Sequence, residues 1–287
     1  MRTLIIDSNY ICYRAAFAMV GLSHRDQATG VIFGFFQELL RLATRFDTNK
    51  FIFCFDSKTS IRKKAYPGYK KRGEDKSPEI GKALRVGFPQ FDILRETALS
   101  EFGFKNIFMQ EGLEADDLIA DIVMRKYAWK DKPIVVSSDE DLYQLLAYCD
   151  MYKVQTKQLY TQNDLWEEYC VTPIKWPFVK ALAGCTSDTV GGIEGIGPHT
   201  AIKYLNGYLK NGKKYEAIMQ YKDEIMKRNL PLVRLPHKLT VPVKLAAVPE
   251  IFPYGKFVEL CNRYDFMSFL NKDGPQTWIK IFHMSRT

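Results

Sequence analysis

Four short apolar runs, each followed by a stretch of different spacing, set the framework of the chain. They are TLIID (3–7), KFIFCFD (50–56), NIFMQEG (106–112) and PIVVSSD (133–139). Each is apolar or β-branched and too short for a typical helix, so each is predicted as a strand. An aromatic-rich helical stretch follows the first run and a basic segment the second. GLEADDLIADIV (112–123) overlaps the end of the third, and DLYQLLAY (141–148) follows the fourth. Within 112–123, Ala115, Leu118, Ile119, Ile122 and Val123 recur at helical spacing. Buried strands alternating with helices predict an α/β fold with a mainly parallel sheet flanked by helices.

Polar residues punctuate these runs in a consistent way. Three runs end in an aspartate (Asp7, Asp56 and Asp139), and the other leads into Glu114, Asp116 and Asp117. Two readings stand side by side. Acidic residues suit the first turn of a helix, where they offset its partial positive charge. Alternatively, strand ends that are neighbours in a parallel sheet bring these acids to one edge, where ligands bind, with Asp141 joining them. Asp117 and Asp121 share a helix face and Asp116 points elsewhere, so a shared site needs Glu114 at or before the helix start. Two carboxylates about 4 Å apart repel by about 4 kcal/mol at an effective dielectric near 20. Either some are protonated or a cation sits among them. All-oxygen donors favour Mg²⁺ or Mn²⁺.

From Thr172 the pattern changes. The glycine-rich GGIEGIG (191–197) precedes Pro198 and a helical pattern from Thr200. Gly195 and Gly197 permit a tight hairpin, and the next helix start offers free N–H groups to an anion. A plain turn between two helices is the other reading. The spacing is not that of a dinucleotide fingerprint, and no GxxxxGK[ST] loop is present.

Composition narrows the classes. The chain of 287 residues is 46% hydrophobic and 26% charged, and has no run of about 18 apolar residues. An aspartate within MRTLIIDSNY argues against a secretory leader. The expectation is a cytoplasmic protein, not a membrane one, with free thiols. Six scattered cysteines without a CxxC pair and four scattered histidines argue against a Cys/His zinc site. The net charge of +8 is concentrated: residues 57–85 carry ten cations against three acids. Tyr66 and Tyr69 lie among Lys63, Lys64, Lys70, Lys71 and Arg72. Cations interleaved with aromatics favour a nucleic-acid surface over a merely solvated loop.

Taken in order, these motifs resemble the flap endonuclease / 5′→3′ exonuclease family, which includes phage 5′ nucleases and the 5′-nuclease domain of bacterial DNA polymerase I. The matching stretches are IIDSNYICYRA (5–15), FCFDSK (53–58), IRKKAYPGYKKR (61–72), GLEADDLIA (112–120), VVSSDEDLYQLL (135–146) and ALAGCTSDTVGGIEGIGPHTA (181–201). They span about residues 1–210, and the remainder matches loosely. The resemblance implies a PIN-like nuclease domain over 1–171, with a helical arch at about 57–100. It implies a helix–three-turn–helix DNA-binding region and C-terminal segment over 172–287.

It implies metal ligation by Asp7, Asp56, Glu114, Asp116, Asp117, Asp139, Asp141 and Asp188, with Mg²⁺ as the ion and Mn²⁺ able to substitute. Lys70 and Arg62 match the lysine and arginine that position the scissile phosphate. DNA contacts fall to Lys63, Lys64, Tyr66, Tyr69, Lys71 and Arg72, and to Gly192, Gly195, Gly197, Thr200 and Lys203, with a structural K⁺ at the glycine hairpin. The implied partner is branched or nicked DNA with a 5′ end, or an RNA/DNA hybrid, without an obligate protein partner. The implied reaction is metal-dependent hydrolysis of 5′ flaps and RNA primers, by a nuclease acting as a separate chain.

Two departures stand out. Cys185 occupies a position where the family commonly has aspartate, which bears on the second metal. Arg72 lies one place earlier than the usual arginine, so its family role does not carry over. A DNA-junction binder with an impaired active site and a PIN-type ribonuclease are the alternative readings.

Overall fold

The computed structural model describes residues 2–71, 78–125, 131–249, 251–271 and 274–284. It divides into two compact units. One comprises Met1–Asp56, Asp75–Phe108 and Lys244–Thr287; the other comprises Ser57–Glu74 and Met109–Val243. Both are built from segments distant in sequence, a different partition from the division at residue 171.

In chain order the first elements are β1 (Leu4–Asp7), α1 (Ser8–Ala18), the hairpin strands β2 (Ser23–His24) and β3 (Gln27–Ala28), α2 (Gly30–Phe46) and β4 (Phe51–Cys54). Next come α3 (Ile61–Ala65), α4 (Pro78–Ile93), α5 (Leu99–Phe102) and β5 (Ile107–Phe108). Then follow α6 (Ala115–Met124), β6 (Ile134–Val136), β7 (Asp150–Lys153), β8 (Gln158–Tyr160), α7 (Gln162–Tyr169) and α8 (Trp176–Ala183). The strands β9 (Gly184–Cys185) and β10 (Val190–Gly191) lead to α9 (Pro198–Leu205), α10 (Lys213–Val233), α11 (Tyr254–Tyr264), α12 (Met267–Leu270) and α13 (Gly274–Phe282).

In the first unit β1 pairs parallel with β4, Leu4 opposite Phe51, and β4 pairs parallel with β5. All four residues of both β1 and β4 are buried, which is why each reads as an unbroken apolar run. The first α2 amides find no cap on Thr29. Instead the Val31 and Ile32 amides donate to the buried Gln90 Oε1, at 2.8 and 3.3 Å. Residues 244–284 belong to this unit. Phe252, Phe257, Trp278 and Phe282 pack with Phe102, and Phe102 stacks on Phe104 with ring centroids 5.0 Å apart.

In the second unit β6 pairs parallel with β7, and β8 runs antiparallel to β7. The fully buried Asn229 of α10 donates to the Ala181 and Gly191 carbonyls at 2.8 and 2.9 Å, tying α10 to α8 and to the β9–β10 hairpin. Pairings are thus mainly parallel and helices flank the strands, as the alternating pattern predicts.

Two elements differ from the sequence expectation. The run at 106–112 is a strand only over Ile107–Phe108. Gly112 turns the chain with φ +81°, and its carbonyl accepts from the Ile61 amide at 2.8 Å. DLYQLLAY forms a 3₁₀ turn over Glu140–Leu145 rather than an α-helix.

Candidate metal and nucleic-acid site

The second unit gathers most of the expected residues. Asp139 stands three residues past β6 and begins the 3₁₀ turn, its Oδ1 accepting from the Asp141 amide at 2.8 Å. Asp141 Oδ1 faces Lys180 Nζ at 2.8 Å. Asp188, buried in the β9–β10 turn, lies 3.9 Å from Lys70 Nζ. Lys70 itself has a left-handed backbone (φ +49°), and its amide donates to the Asp188 carbonyl at 2.7 Å. Its Nζ reaches Glu114 Oε1 at 2.8 Å. One backbone bond and one side-chain bond therefore hold this ammonium between two acids.

Electrostatics follow from this crowding. Asp139 reaches solvent, yet desolvation by the surrounding protein, followed by the Asp141 charge, pushes its carboxyl up to about 6. Burial raises Asp188 as well; Lys70 counters this and Asp141 adds to it. Burial alone would lower Lys70 and Lys180, but the Glu114 and Asp141 charges respectively outweigh it and hold both ammonium groups charged. Burial and mutual repulsion make the charged forms of Asp139 and Asp188 costly, and a cation among these acids relieves that cost. Its oxygen donors suit a hard divalent ion. Asp141, Cys185 and Asp188 each offer one ligand atom within 4.8 Å of the others.

Three expected site residues have other duties. Arg62 is 2% exposed and Asp117 fully buried. Their groups form a two-pronged pair at 2.6 and 2.8 Å, and Arg62 Nε donates to the Leu232 carbonyl at 2.9 Å. Asp117 also accepts from the His237 and Glu114 amides, at 2.7 and 3.2 Å. With both oxygens engaged, Asp117 is placed as a buried counter-ion rather than as a ligand, and Arg62 is spent on it rather than facing a phosphate. Burial would lower the Arg62 guanidinium, but the bond to Asp117 more than offsets this. Tyr69 is not a stacking platform: it is 2% exposed and packs with Ala181, Cys185, Val190, Leu232 and Val233. Its hydroxyl donates to Glu114 Oε2 at 3.0 Å.

Asp116, half-buried on α6, adds its charge near Lys70. Asp7 and Asp56 belong to the first unit. Asp7 caps α1, accepting from the Tyr10 amide at 3.0 Å. The Asp56 amide donates to Asn9 Oδ1 at 3.0 Å. Burial, then the Asp7 and Asp56 charges, push the Cys12 thiol up, so both acids lie near that side chain.

Among the expected DNA contacts, Lys63, Lys64 and Lys71 are exposed and Tyr66 is half-buried. Arg72 lies outside the described residues, as does the stretch 72–77 of the expected arch. The glycine region splits by role. A Cβ on Gly192 would sit 2.2 Å from the Ala183 carbonyl carbon, so this glycine serves close backbone packing. Gly195 has φ +71°, whereas Gly197 has ordinary backbone and open space around it. α9 starts at Pro198, two residues before the expected start, with Thr200 half-buried and Lys203 exposed.

Sequence reasoning missed Lys180 and the Tyr69–Glu114 bond. The signal for Lys180 was present: from Trp176 to Ala183 it is the only charged residue in an apolar helix, and such a residue is retained when it has a buried partner.

The fold and this carboxylate-rich site place the chain in the resolvase-like class of α/β domains. The family model described as the 5′–3′ exonuclease N-terminal resolvase-like domain matches residues 2–170. The 5′–3′ exonuclease of Aquifex aeolicus is 32% identical over 248 residues, covering 82% of each chain. The thermostable DNA polymerase I of Thermus thermophilus is 33% identical over 215 residues, 73% of this chain and 25% of that protein. The chain thus spans about a quarter of the length of that polymerase. Among solved structures, the phage T5 5′-exonuclease with bound zinc shares the fold, with a TM-score of 0.66, 23% identity, and coverage of 82% of this chain and 90% of that one. The chain belongs to the 5′–3′ exonuclease family.

Proposed function

We propose that this protein is a divalent-metal-dependent, structure-specific 5′ nuclease. It hydrolyses phosphodiester bonds in 5′-flap, nicked or branched DNA and in RNA primers, in replication or repair, in the cytoplasm of a bacterial or phage-infected cell. The observation that carries this is the gathering of Asp139, Asp141 and Asp188 around Lys70 and Lys180. Like charges there call for a cation, and the ammonium groups beside them suit a phosphate. Family membership supports the reaction class.

Mg²⁺ fits the oxygen donors, and Mn²⁺ substitutes for it. Held by Asp139, Asp141 and Asp188, such an ion would offset the acids' charge and supply Lewis-acid activation of a phosphoryl oxygen and of water. The chain's own residues do the rest. Glu114 and the left-handed turn hold Lys70 so that its ammonium faces the developing charge on the phosphate. Tyr69 fixes Glu114 from its other oxygen. Lys180 orients Asp141. Asp116 contributes charge. For Asp7 and Asp56, ligation rests on the family motif.

Lys63, Lys64 and Lys71 track a DNA backbone. Gly195, Gly197, Thr200 and Lys203 receive a duplex phosphate at the start of α9. The hairpin carbonyls before α9 are the proposed seat of K⁺.

Labelled 5′-flap DNA incubated with and without Mg²⁺ tests the reading. Cleavage at the flap base that requires Mg²⁺ and stops on chelation is expected. Tight binding without cleavage would instead identify a junction binder. Preferential cutting of single-stranded RNA would identify a PIN-type ribonuclease.

A further inference from the structure

We infer that Asp141, Cys185 and Asp188 form a mixed oxygen–sulfur site that takes a thiophilic divalent cation, of the Zn²⁺ or Co²⁺ kind, through the Cys185 sulfur. This deepens the nuclease reading at the same cluster, and rests on it only for its consequence: such an ion competes with Mg²⁺.

The geometry comes first. One donor atom from each residue lies within 4.8 Å of the other two. Small side-chain rotations bring donors so placed to the bond lengths of about 2.0–2.3 Å that such ions use. Cys185 is held in position, because β9 pairs it with Val190, and its side chain is 4% exposed. Its Sγ lies 3.0 Å from Ser187 Oγ, a hydroxyl able to donate to the sulfur once the thiol proton has left.

A second observation points to a ligand independently of the cysteine. The Asp188 side chain is only 8% exposed, and its closest cation is Lys70 at 3.9 Å, beyond hydrogen-bond reach. Its carboxylate accepts no hydrogen bond among the described residues. A carboxylate so little exposed and with no protein donor is costly, and one of its oxygens lies within 4.8 Å of donor atoms of Cys185 and Asp141.

A cavity of about 270 Å³, lined by Lys180, Cys185, Thr186 and Ser187 among others, borders the cysteine.

The chemistry sets the preference. Two carboxylates alone discriminate weakly among divalent ions, whereas a thiolate is soft and selects Zn²⁺ or Co²⁺ over Mg²⁺. Binding forms one metal–sulfur bond and releases the thiol proton to solvent, with no change in oxidation state. Rules based on Cys and His spacing miss such a site, because two of its three donors are aspartates.

Cobalt is the probe. The full chain, free of DNA and Mg²⁺, is titrated with Co²⁺ while the near-ultraviolet sulfur-to-cobalt charge-transfer band is recorded. The band should appear and saturate at one ion per chain, and Zn²⁺ should abolish it. Cys185→Ser and Cys185→Asp should lose it, with circular dichroism and melting confirming that each is folded. Cys12→Ser and Cys170→Ser should keep it. Cys185→Asp should still bind Mn²⁺ by electron paramagnetic resonance, separating a changed preference from a lost site. Absence of the band in the parent chain, or its persistence in Cys185→Ser, overturns the inference. Either result leaves the Mg²⁺-dependent cleavage assay to stand or fall by itself.

Discussion

At the scale of single residues, the acids of the second unit divide into those awaiting a cation and those already provided with one. Asp139 is of the first kind. Its folded pKa, about 6, lies above the ordinary carboxylate value. The stability tied to its proton is therefore complete below about pH 4 and lost as pH rises through 6. Removing the charge should raise stability at pH 7.5. Asp139→Asn should melt higher than the parent chain in chelator, by roughly 1 kcal/mol once solvent screening of an exposed group is allowed for. The difference should vanish at pH 4, and Mg²⁺ should raise the parent's melting temperature more than the variant's. Single-turnover cleavage by Asp139→Asn should collapse while DNA binding in Ca²⁺ survives. Equal melting at both pH values would show that the carboxyl is not under repulsion.

Asp117 is of the second kind. Arg62→Ala strands a fully buried carboxylate and should cost about 3–5 kcal/mol of stability by denaturant unfolding. Arg62→Lys should recover little, because an ammonium cannot reproduce the two-pronged bond. Full stability with lost cleavage in Arg62→Ala would return Arg62 to a phosphate-binding role.

At the scale of elements, the glycine stretch between α8 and α9 permits a clean separation. Gly192→Ala should destabilise the fold, since the new methyl meets the Ala183 backbone at 2.2 Å. Gly197→Ala meets nothing within 4 Å and keeps an ordinary φ of −89°. Its melting should match the parent's, and any loss of duplex affinity then measures how closely the DNA backbone approaches. Unchanged melting in Gly192→Ala would contradict the packing argument. The same contrast explains what the sequence disclosed. β1 and β4 were legible because buried parallel strands are apolar without interruption. The run at 106–112 was overextended because a positive φ at Gly112 leaves no mark on hydropathy. Asp139, Asp141 and Glu114 were legible as strand-end acids. The Arg62–Asp117 pair was not, since its members are 55 residues apart and a buried guanidinium reads like any cation of a basic segment. Tyr69 misled for the same reason: an aromatic among lysines looks exposed until its packing is seen.

At the scale of the whole molecule, the +8 charge predicts binding that is largely electrostatic. The logarithm of flap-DNA affinity, measured in Ca²⁺, should fall linearly with the logarithm of salt, with a slope of about −0.9 for each phosphate neutralised. Replacing the exposed Lys63 and Lys64 together by alanine should make that slope shallower by about 2. An unchanged slope would remove this pair from the DNA surface. No helix among the described residues is long and apolar enough to cross a membrane.

The first unit's construction from three separated stretches has a consequence for synthesis. Phe102 and Phe104 leave the ribosome long before Phe252, Trp278 and Phe282, the rings they pack with. At about 5–20 residues per second, roughly 150 residues of intervening chain take about eight to thirty seconds to make. Through that interval β1, β4 and α2 can assemble, but their aromatic flank stays uncovered. The nascent chain therefore passes through a stage with a half-finished core, whose aromatic flank is exposed until residues 252–282 have emerged.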